Sequence, residues 1–500
     1  MALAQNKLED IFGRENVHND DAILQGYAND QSFCEGTRPD WVVFAETVEQ
    51  VQKVVRSANE TRTPLVPYSS GLNLHGAALP AQGGVVINLS RMNRILQVDE
   101  QNWFVLVEPG VTYRQLQEHV LEKGYRIMVP FGAPPGRSVL TSYLERDPVL
   151  SAASFEFGNY LIMDTEIVLP DGEVMKTGLW SVGGDAGGAM GPVRNVIYRL
   201  WTGAQGTLGI MTKMGLQITP DIKERRLFFF TFEELAEAVE PIKRIQRKEI
   251  GMECFLLNRF NLAALLSRQW EVPETFPSAA GPSESFEKLR KSLPPWVMVL
   301  SIQGAPRKPE KKISYEVDAL HEVCRGLGIA PAESLDGAEG AGDVLLRELN
   351  RPWGILKKFN YRGSVHDFSF KTPLQDLVTM QSVITEVCTK EGYNPADIGA
   401  YVLPLERARA VHCEFDLHCE PKNAEETGKV KDLWLTASEA LLNRGACFDR
   451  PYGAWADMVY RRAGNYTTKL KQIKAEMDPT GIMNPGRLCF TGVCRESSAL

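Results

Sequence analysis

Pro67-Tyr-Ser-Ser-Gly-Leu-Asn-Leu-His-Gly-Ala-Ala78, followed by Gly83-Gly-Val-Val-Ile-Asn-Leu-Ser90 and Val107-Glu-Pro-Gly-Val-Thr112, decides how the rest of this chain is read. A strand runs into a turn-rich loop of small residues, then into further short strands and a helix start. Small residues let backbone N–H groups approach an anion closely, and consecutive amides in such a turn form a cradle for it. Alone, such a loop is only a turn. Its order and spacing relative to the later segments carry the argument further.

Working outward, residues 47–60 read as a helix: Thr47 and Gln50 have capping-box spacing, and Val51, Val54, Val55 and Ala58 form one apolar stripe. Residues 85–89, 95–98 and 103–107 are short β-branched runs. Thr112 with Gln115 opens another helix, which Gly124 closes. Residues 161–169 and 173–177 flank Pro170-Asp-Gly172, a hairpin signal. Residues 178–191 read as a Gly- and Ala-rich surface loop, and the glycine-rich turn from Gly203 runs into a strand that ends at Pro220. Beyond Pro220 the texture changes. Strand-like 226–230, 252–257, 296–302, 398–403 and 410–419 alternate with helix-like 232–248, 311–326, 374–390 and 427–444. This predicts an antiparallel sheet with helices on one face, and residues 267–294 read as a long connection.

Five hundred residues are too many for one ordinary core, and 44% hydrophobic with 24% charged residues is a globular composition. The net charge of −8 argues against a general nucleic-acid binder. No basic n-region followed by an apolar run opens the chain, and no stretch of about 18 apolar residues could span a bilayer. Nine dispersed cysteines suit a reducing cytoplasm better than a disulfide framework. Cys489 and Cys494 form the nearest thing to a metal or redox pair, and two ligands do not make a site, so no metal is expected.

The loop at 69–78, the Val107-Glu-Pro-Gly110 turn, the Gly206-Thr-Leu-Gly209 turn and the closing Asp478-Pro-Thr-Gly-Ile-Met-Asn-Pro-Gly486 occur in that order. Together they resemble the flavin-binding domain shared by the vanillyl-alcohol oxidase and 4-cresol methylhydroxylase families, which also occurs in D-lactate and glycolate dehydrogenases. The resemblance implies an α+β fold: a two-part FAD-binding domain over 1–220, an antiparallel-sheet-and-helix cap over 221–455, and a segment at 456–500 that returns to the FAD-binding domain. It implies FAD, held by Ser69, Ser70, Gly71, Leu72, Asn73, Leu74 and His75 near the pyrophosphate. Further contacts are expected from Pro135, Ser138, Leu140, Thr141, Gly206, Gly209, Ile210 and Arg487. Asn73 stands where a tethering histidine is expected, so the flavin is expected to be non-covalent.

Gly363-Ser-Val-His-Asp-Phe-Ser-Phe-Lys-Thr-Pro373, Glu406 and Phe448-Asp-Arg-Pro-Tyr452 follow the order of the aromatic-alcohol and alkylphenol branch of that superfamily. The resemblance therefore implies an oxidoreductase that takes a hydride from a benzylic or allylic carbon. Its substrate would be a small aromatic alcohol or para-substituted phenol, and electrons would pass to oxygen, a cytochrome or another carrier, in a homo-oligomer. Where phenol oxidisers carry a tyrosine, an aspartate and a Tyr-Arg pair, this chain has Leu74 with His75, Phe131, and Asp449-Arg450. The alternative on the same fold is a D-2-hydroxyacid dehydrogenase.

Hydride abstraction needs a held carbon, a base and positive charge near the electron acceptor. Arg450 is the candidate cation; Asp449, Glu406 and His366 are the candidate acids and bases. His412, Glu414, Asp416, His418 and Glu420 alternate with Cys413, Phe415, Leu417 and Cys419, so in a strand the polar side chains share one face. That face reads as a solvated strand face, a polar pocket wall or a metal site.

Overall fold

The computed structural model describes residues 3–151, 161–186, 195–278, 281 and 283–490. Thr47 caps the helix Val48–Thr61 by accepting from Gln50 N at 3.2 Å, and the Gln50 side chain accepts from Thr47 N in return. The apolar stripe of this helix is fully buried against a four-stranded sheet, ordered Val17–His18, Trp41–Phe44, Val85–Asn88, Leu65–Tyr68. The last three strands run parallel. A five-stranded antiparallel sheet follows, ordered Ile95–Asp99, Phe104–Val107, Ile210–Gln217, Ile162–Val168, Val174–Lys176. The loop Ser69–Ala78 leaves the parallel sheet at the end of Leu65–Tyr68, and the Gly206–Gly209 turn leads into Ile210–Gln217.

The second half is built on a six-stranded antiparallel sheet, ordered Arg225–Phe232, Trp296–Gln303, Glu253–Asn258, Gly399–Leu405, Ala410–Cys419, Ser364–Pro373. Helices cover both of its faces rather than one. Phe228, Phe230, Cys254 and Leu256 pack with the helices Leu235–Arg247, Pro309–Leu327, Leu377–Lys390 and Ala424–Asn443. Leu227, Phe229, Phe255 and Leu257 pack the other way, against Arg259–Leu266, Glu284–Ser292 and Ala341–Glu348. The physical reason is in the strands, which are apolar at successive positions and must be buried on both sides. Residues 267–294 are accordingly not one long connection, because the helix Glu284–Ser292 forms within them, capped by Ser283.

Phe131 and Leu150 of the N-terminal half join this second core, so the two halves share apolar contact. The closing segment returns to the first sheet: Leu65 N donates to Ile482 O and Asn484 N to Leu65 O, each at 2.8 Å. The buried Lys474 Nζ ties Thr207 O and Met483 O to that segment. The stretch 178–191 begins with a single 3-10 turn, Gly178–Val182, and residues 187–191 lie outside the described residues, as does Cys494. Among the described residues no helix is long and apolar enough to cross a membrane.

Candidate active site and cofactor cleft

Between the parallel sheet and the Gly206–Gly209 turn lies a cleft of about 900 Å³. Ser69, Ser70, Gly71, Leu72, Asn73, Leu140, Thr141, Gly206, Gly209 and Ile210 line it together. Met211, Trp201 and Gln205 also line it; Trp201 and Gln205 sit beside the glycine turn, and nothing but that proximity marks those two in sequence. Two glycines let the loops meet. A Cβ on Gly206 (φ +72°) would lie 2.3 Å from the Pro67 ring, and one on Gly71 (φ +67°) would overlap the Tyr68 hydroxyl. Among the described residues the amides of Ser69 to Asn73 donate to no protein acceptor. A run of free amides on a tight, uncharged loop is what a pyrophosphate needs, and the apolar wall suits flat rings. The residues present therefore fit FAD.

The other expected cofactor residues take different places. Ser138 Oγ donates to Pro109 O at 2.6 Å and caps the helix Val139–Leu144, while its amide donates to Ser70 Oγ at 3.1 Å, so it holds the loop rather than lining the cleft. Pro135 accepts from Arg114 N with its carbonyl. Leu74 and His75 turn out of the cleft into an adjoining cavity, and Arg487 lines a third.

The adjoining cavity, about 810 Å³, opens between the loop and the cap. Its apolar wall includes Phe131, Ile355, Leu356, Phe359, Val365 and the Tyr401 ring. Its polar groups come from both halves. Arg450 pairs with Asp147 and donates to Ser369 Oγ at 2.6 Å. Arg137 Nη2 lies 2.8 Å from Asp147 Oδ2, an ion-pair distance not aligned as a hydrogen bond. Burial alone would push the Asp147 carboxyl up, but the two guanidiniums hold it below the usual carboxylate range. Burial likewise opposes the Arg450 charge, and Asp147 with its neighbours outweighs it. Burial dominates at Glu145, which accepts from Tyr452 Oη and from Asn73 Nδ2 (3.0 Å), and its carboxyl is pushed up.

Ala410–Cys419 delivers the remaining groups. Glu414 lines the cavity, with His412 Nε2 2.9 Å from its Oε1. Burial works to raise the Glu414 carboxyl, and the hydrogen bond and charge of His412, with Lys358 and Arg450, hold it low instead. Lys358 Nζ lies 2.8 Å from Asp416 Oδ1, whose Oδ2 accepts from Asn261 Nδ2. His412, Glu414 and Asp416 of the alternating face are therefore partnered rather than solvated. His418 stands apart from the others, packed between the Phe260 and Tyr361 rings. Among the described residues no group of three or more His, Cys, Asp or Glu is arranged to hold a metal ion.

The Tyr401 hydroxyl is buried without a hydrogen-bond partner at the wall of this cavity. Burial keeps it protonated, far above the ordinary phenol range. Neither Tyr401 nor Glu414 was singled out in sequence as a site residue, although the alternation around Glu414 marked its face.

Of the four residues expected to do chemistry, Arg450 alone faces this cavity. Asp449 turns away: its Oδ2 is 3.9 Å from Lys371 Nζ, and it lines a separate groove beside Cys447 and Tyr460. Glu406 sits at the hairpin turn between Gly399–Leu405 and Ala410–Cys419 with a positive φ, paired to Arg409. A carboxylate there is a turn residue on the surface. His366 faces the third cavity, stacked on Phe33 at 4.0 Å, and burial pushes its imidazole down to about 3.

Residues 39–178 match the FAD binding domain family. Over 97% of its length the chain is 24% identical to the 4-cresol dehydrogenase [hydroxylating] flavoprotein subunit of Pseudomonas putida, covering 94% of that protein. It is 21% identical to a glycolate oxidase subunit of Bacillus subtilis, with 97% and 96% of the two chains covered. Its fold superposes on a crystal structure of p-cresol methylhydroxylase with substrate bound at a TM-score of 0.80 and 22% identity, covering 97% of this chain and 96% of that one. The chain thus carries an FAD binding domain and shares the overall fold of p-cresol methylhydroxylase, and with its dehydrogenase and oxidase relatives it is an FAD-dependent oxidoreductase.

Proposed function

We propose that the substrate is a small hydroxyl-bearing aromatic compound, an aromatic alcohol or para-substituted phenol, oxidised at its benzylic or allylic carbon. The unpartnered Tyr401 hydroxyl carries this reading. A buried donor without an acceptor costs free energy that a bound substrate oxygen would recover. Tyr401 then donates to that oxygen, and Phe131, whose ring centroid lies 4.8 Å from that of Tyr401, packs on the ring of the substrate. Glu414 accepts the hydroxyl proton. A carboxylate held ionised is a weak base, but the O–H becomes steeply more acidic as the adjacent C–H bond breaks, so a weak base suffices. Arg450, fixed by Asp147 and Ser369, supplies positive charge to the negative charge that develops.

FAD bound in the cleft supplies the hydride acceptor. We propose that it is non-covalent, because Asn73 is held to Glu145 and offers no nucleophile. Oxygen, a cytochrome or another carrier would take the electrons onward.

Charge balance favours this reading over a D-2-hydroxyacid. Lys358, Arg137 and Arg450 face the cavity together with Asp147, Asp367 and Glu414, so no unbalanced cation awaits a substrate carboxylate. Anaerobic mixing with benzylic alcohols, alkylphenols, D-lactate and glycolate tests it. Bleaching of the flavin absorbance by the aromatic compounds is expected, and bleaching by the hydroxyacids alone would overturn the proposal.

A further inference from the structure

On the far side of Leu74, His75, Val365 and Asp367, which form a wall common to both, lies a third cavity of about 1250 Å³. Neither the dinucleotide cleft nor the proposed chemistry uses it. Aromatic rings make much of its surface. Phe33 is stacked on His366, and the Trp434 and Trp455 rings lie 4.8 Å apart at 26°. Two cations face it, Arg487 and Lys431. Arg487 is 8% exposed; it donates to Leu79 O, and its Nε is buried with no partner. Burial lowers the affinity of this guanidinium for its proton, and Cys34 and Asp30, which makes no ion pair with it, offset that only in part. Among the described residues neither Arg487 nor Lys431 has a carboxylate within ion-pair distance. The acids of this cavity are placed otherwise: Asp367 Oδ1 is 3.6 Å from His75 Nε2, and Glu35 and Asp457 are exposed.

A desolvated guanidinium with an unused donor, beside a second unpaired cation and a bank of flat rings, is complementary to an aromatic anion. We propose that this cavity is a second binding site, distinct from the substrate cavity, for a small planar aromatic carboxylate. Arg487 and Lys431 hold its carboxylate, and Trp434, Trp455 and Phe33 take its ring. The proposal is independent of which compound the first cavity oxidises.

The test uses the FAD-loaded, full-length protein and 2-naphthoate as probe, followed by tryptophan fluorescence and calorimetry. Its neutral isostere 2-naphthamide is the control. One saturable site is expected, with the amide binding at least about tenfold more weakly, since each charge-assisted contact is roughly twice as strong as a neutral one. Lys431→Met and Arg487→Gln should each weaken 2-naphthoate about tenfold, and Arg450→Gln should leave its affinity unchanged. Lys431 is half-buried on the helix Ala424–Asn443, so its variant decides the matter even if Arg487→Gln does not fold. Absence of saturable binding, equal affinity for the amide, or loss with Arg450→Gln but not Lys431→Met would overturn the proposal.

Discussion

Arg126 and Glu253 form an ion pair that is 2% and 0% exposed, with Nη2 and Oε1 2.8 Å apart, and it joins the N-terminal half to the cap sheet. Arg225 Nη1 adds a second guanidinium 3.8 Å from the same oxygen. Burial would raise the Glu253 carboxyl, but the two arginines outweigh it and hold it below the ordinary carboxylate value. Its contribution is therefore present above the unfolded value near 4.3 and is lost as pH falls through the lower folded value. Glu253→Gln leaves the buried Arg126 without its carboxylate, while Arg225 keeps Asp221 at 3.4 Å, and we expect a loss of about 3–5 kcal/mol in denaturant unfolding at neutral pH. The difference from the parent should shrink in acid.

Glu348 behaves in the opposite sense. It is nearly fully buried and accepts from Gly354 N at 2.8 Å, and burial pushes its carboxyl up to about 8. Between the unfolded value near 4.3 and 8 the folded chain holds a proton that the unfolded chain has released, so this residue costs stability as pH rises through that window. Glu348→Gln keeps the acceptor and removes the charge. Its melting temperature should match the parent near pH 4 and exceed it increasingly up to pH 8; a constant offset across that range would contradict the assignment. Ile355, Leu356 and Phe359, just after Gly354, line the proposed substrate cavity, so the same variant should flatten any alkaline rise in KM.

Tyr401→Phe removes the unpartnered hydroxyl and leaves the ring packed on Phe131. The variant should be as stable as the parent or more so, since a buried donor without an acceptor is deleted. Its kcat/KM for the aromatic alcohol should nevertheless fall, by about ten- to a hundredfold. Unchanged kcat/KM would remove Tyr401 from the site.

The architecture was legible wherever one local signal fixed one element. The Thr47–Gln50 capping box and the glycines of the cofactor loop each place backbone through contacts a few residues apart, and the loop residues 69–73 with Gly206 and Gly209 do meet in one cleft. Periodicity said less about the cap. The run Arg226-Leu-Phe-Phe-Phe230 is apolar at consecutive positions, which is consistent with burial on both faces but does not say what buries them. The chemistry was least legible. Glu406, Asp449 and Glu414 are all acidic residues of the cap, and only the pairing of Ala410–Cys419 between its two neighbours separates them. Pairing turns Glu414 inward, leaves Glu406 on the hairpin turn, and lets Asp449 reach toward Lys371.

The proposed role of Glu414 has a pH signature of its own. His412, Lys358 and Arg450 hold the Glu414 carboxyl low against the effect of burial, so it stays ionised as pH falls from neutrality through the ordinary carboxylate range near 4.3. If this carboxylate takes the hydroxyl proton, kcat measured by flavin reduction in single turnovers should be flat from pH 7 to 5 and fall only in stronger acid. Glu414→Gln removes the acceptor while keeping shape and hydrogen bonding; kcat should drop by about 10²–10⁴ with little change in KM, the range expected for a proton acceptor acting in the transition state. The rival base on the same wall is His75, 3.6 Å from Asp367. Were His75 the base, Glu414→Gln would keep most of its kcat. A flat profile with a large kcat loss assigns the proton to the strand Ala410–Cys419, and a small loss assigns it to the cofactor loop.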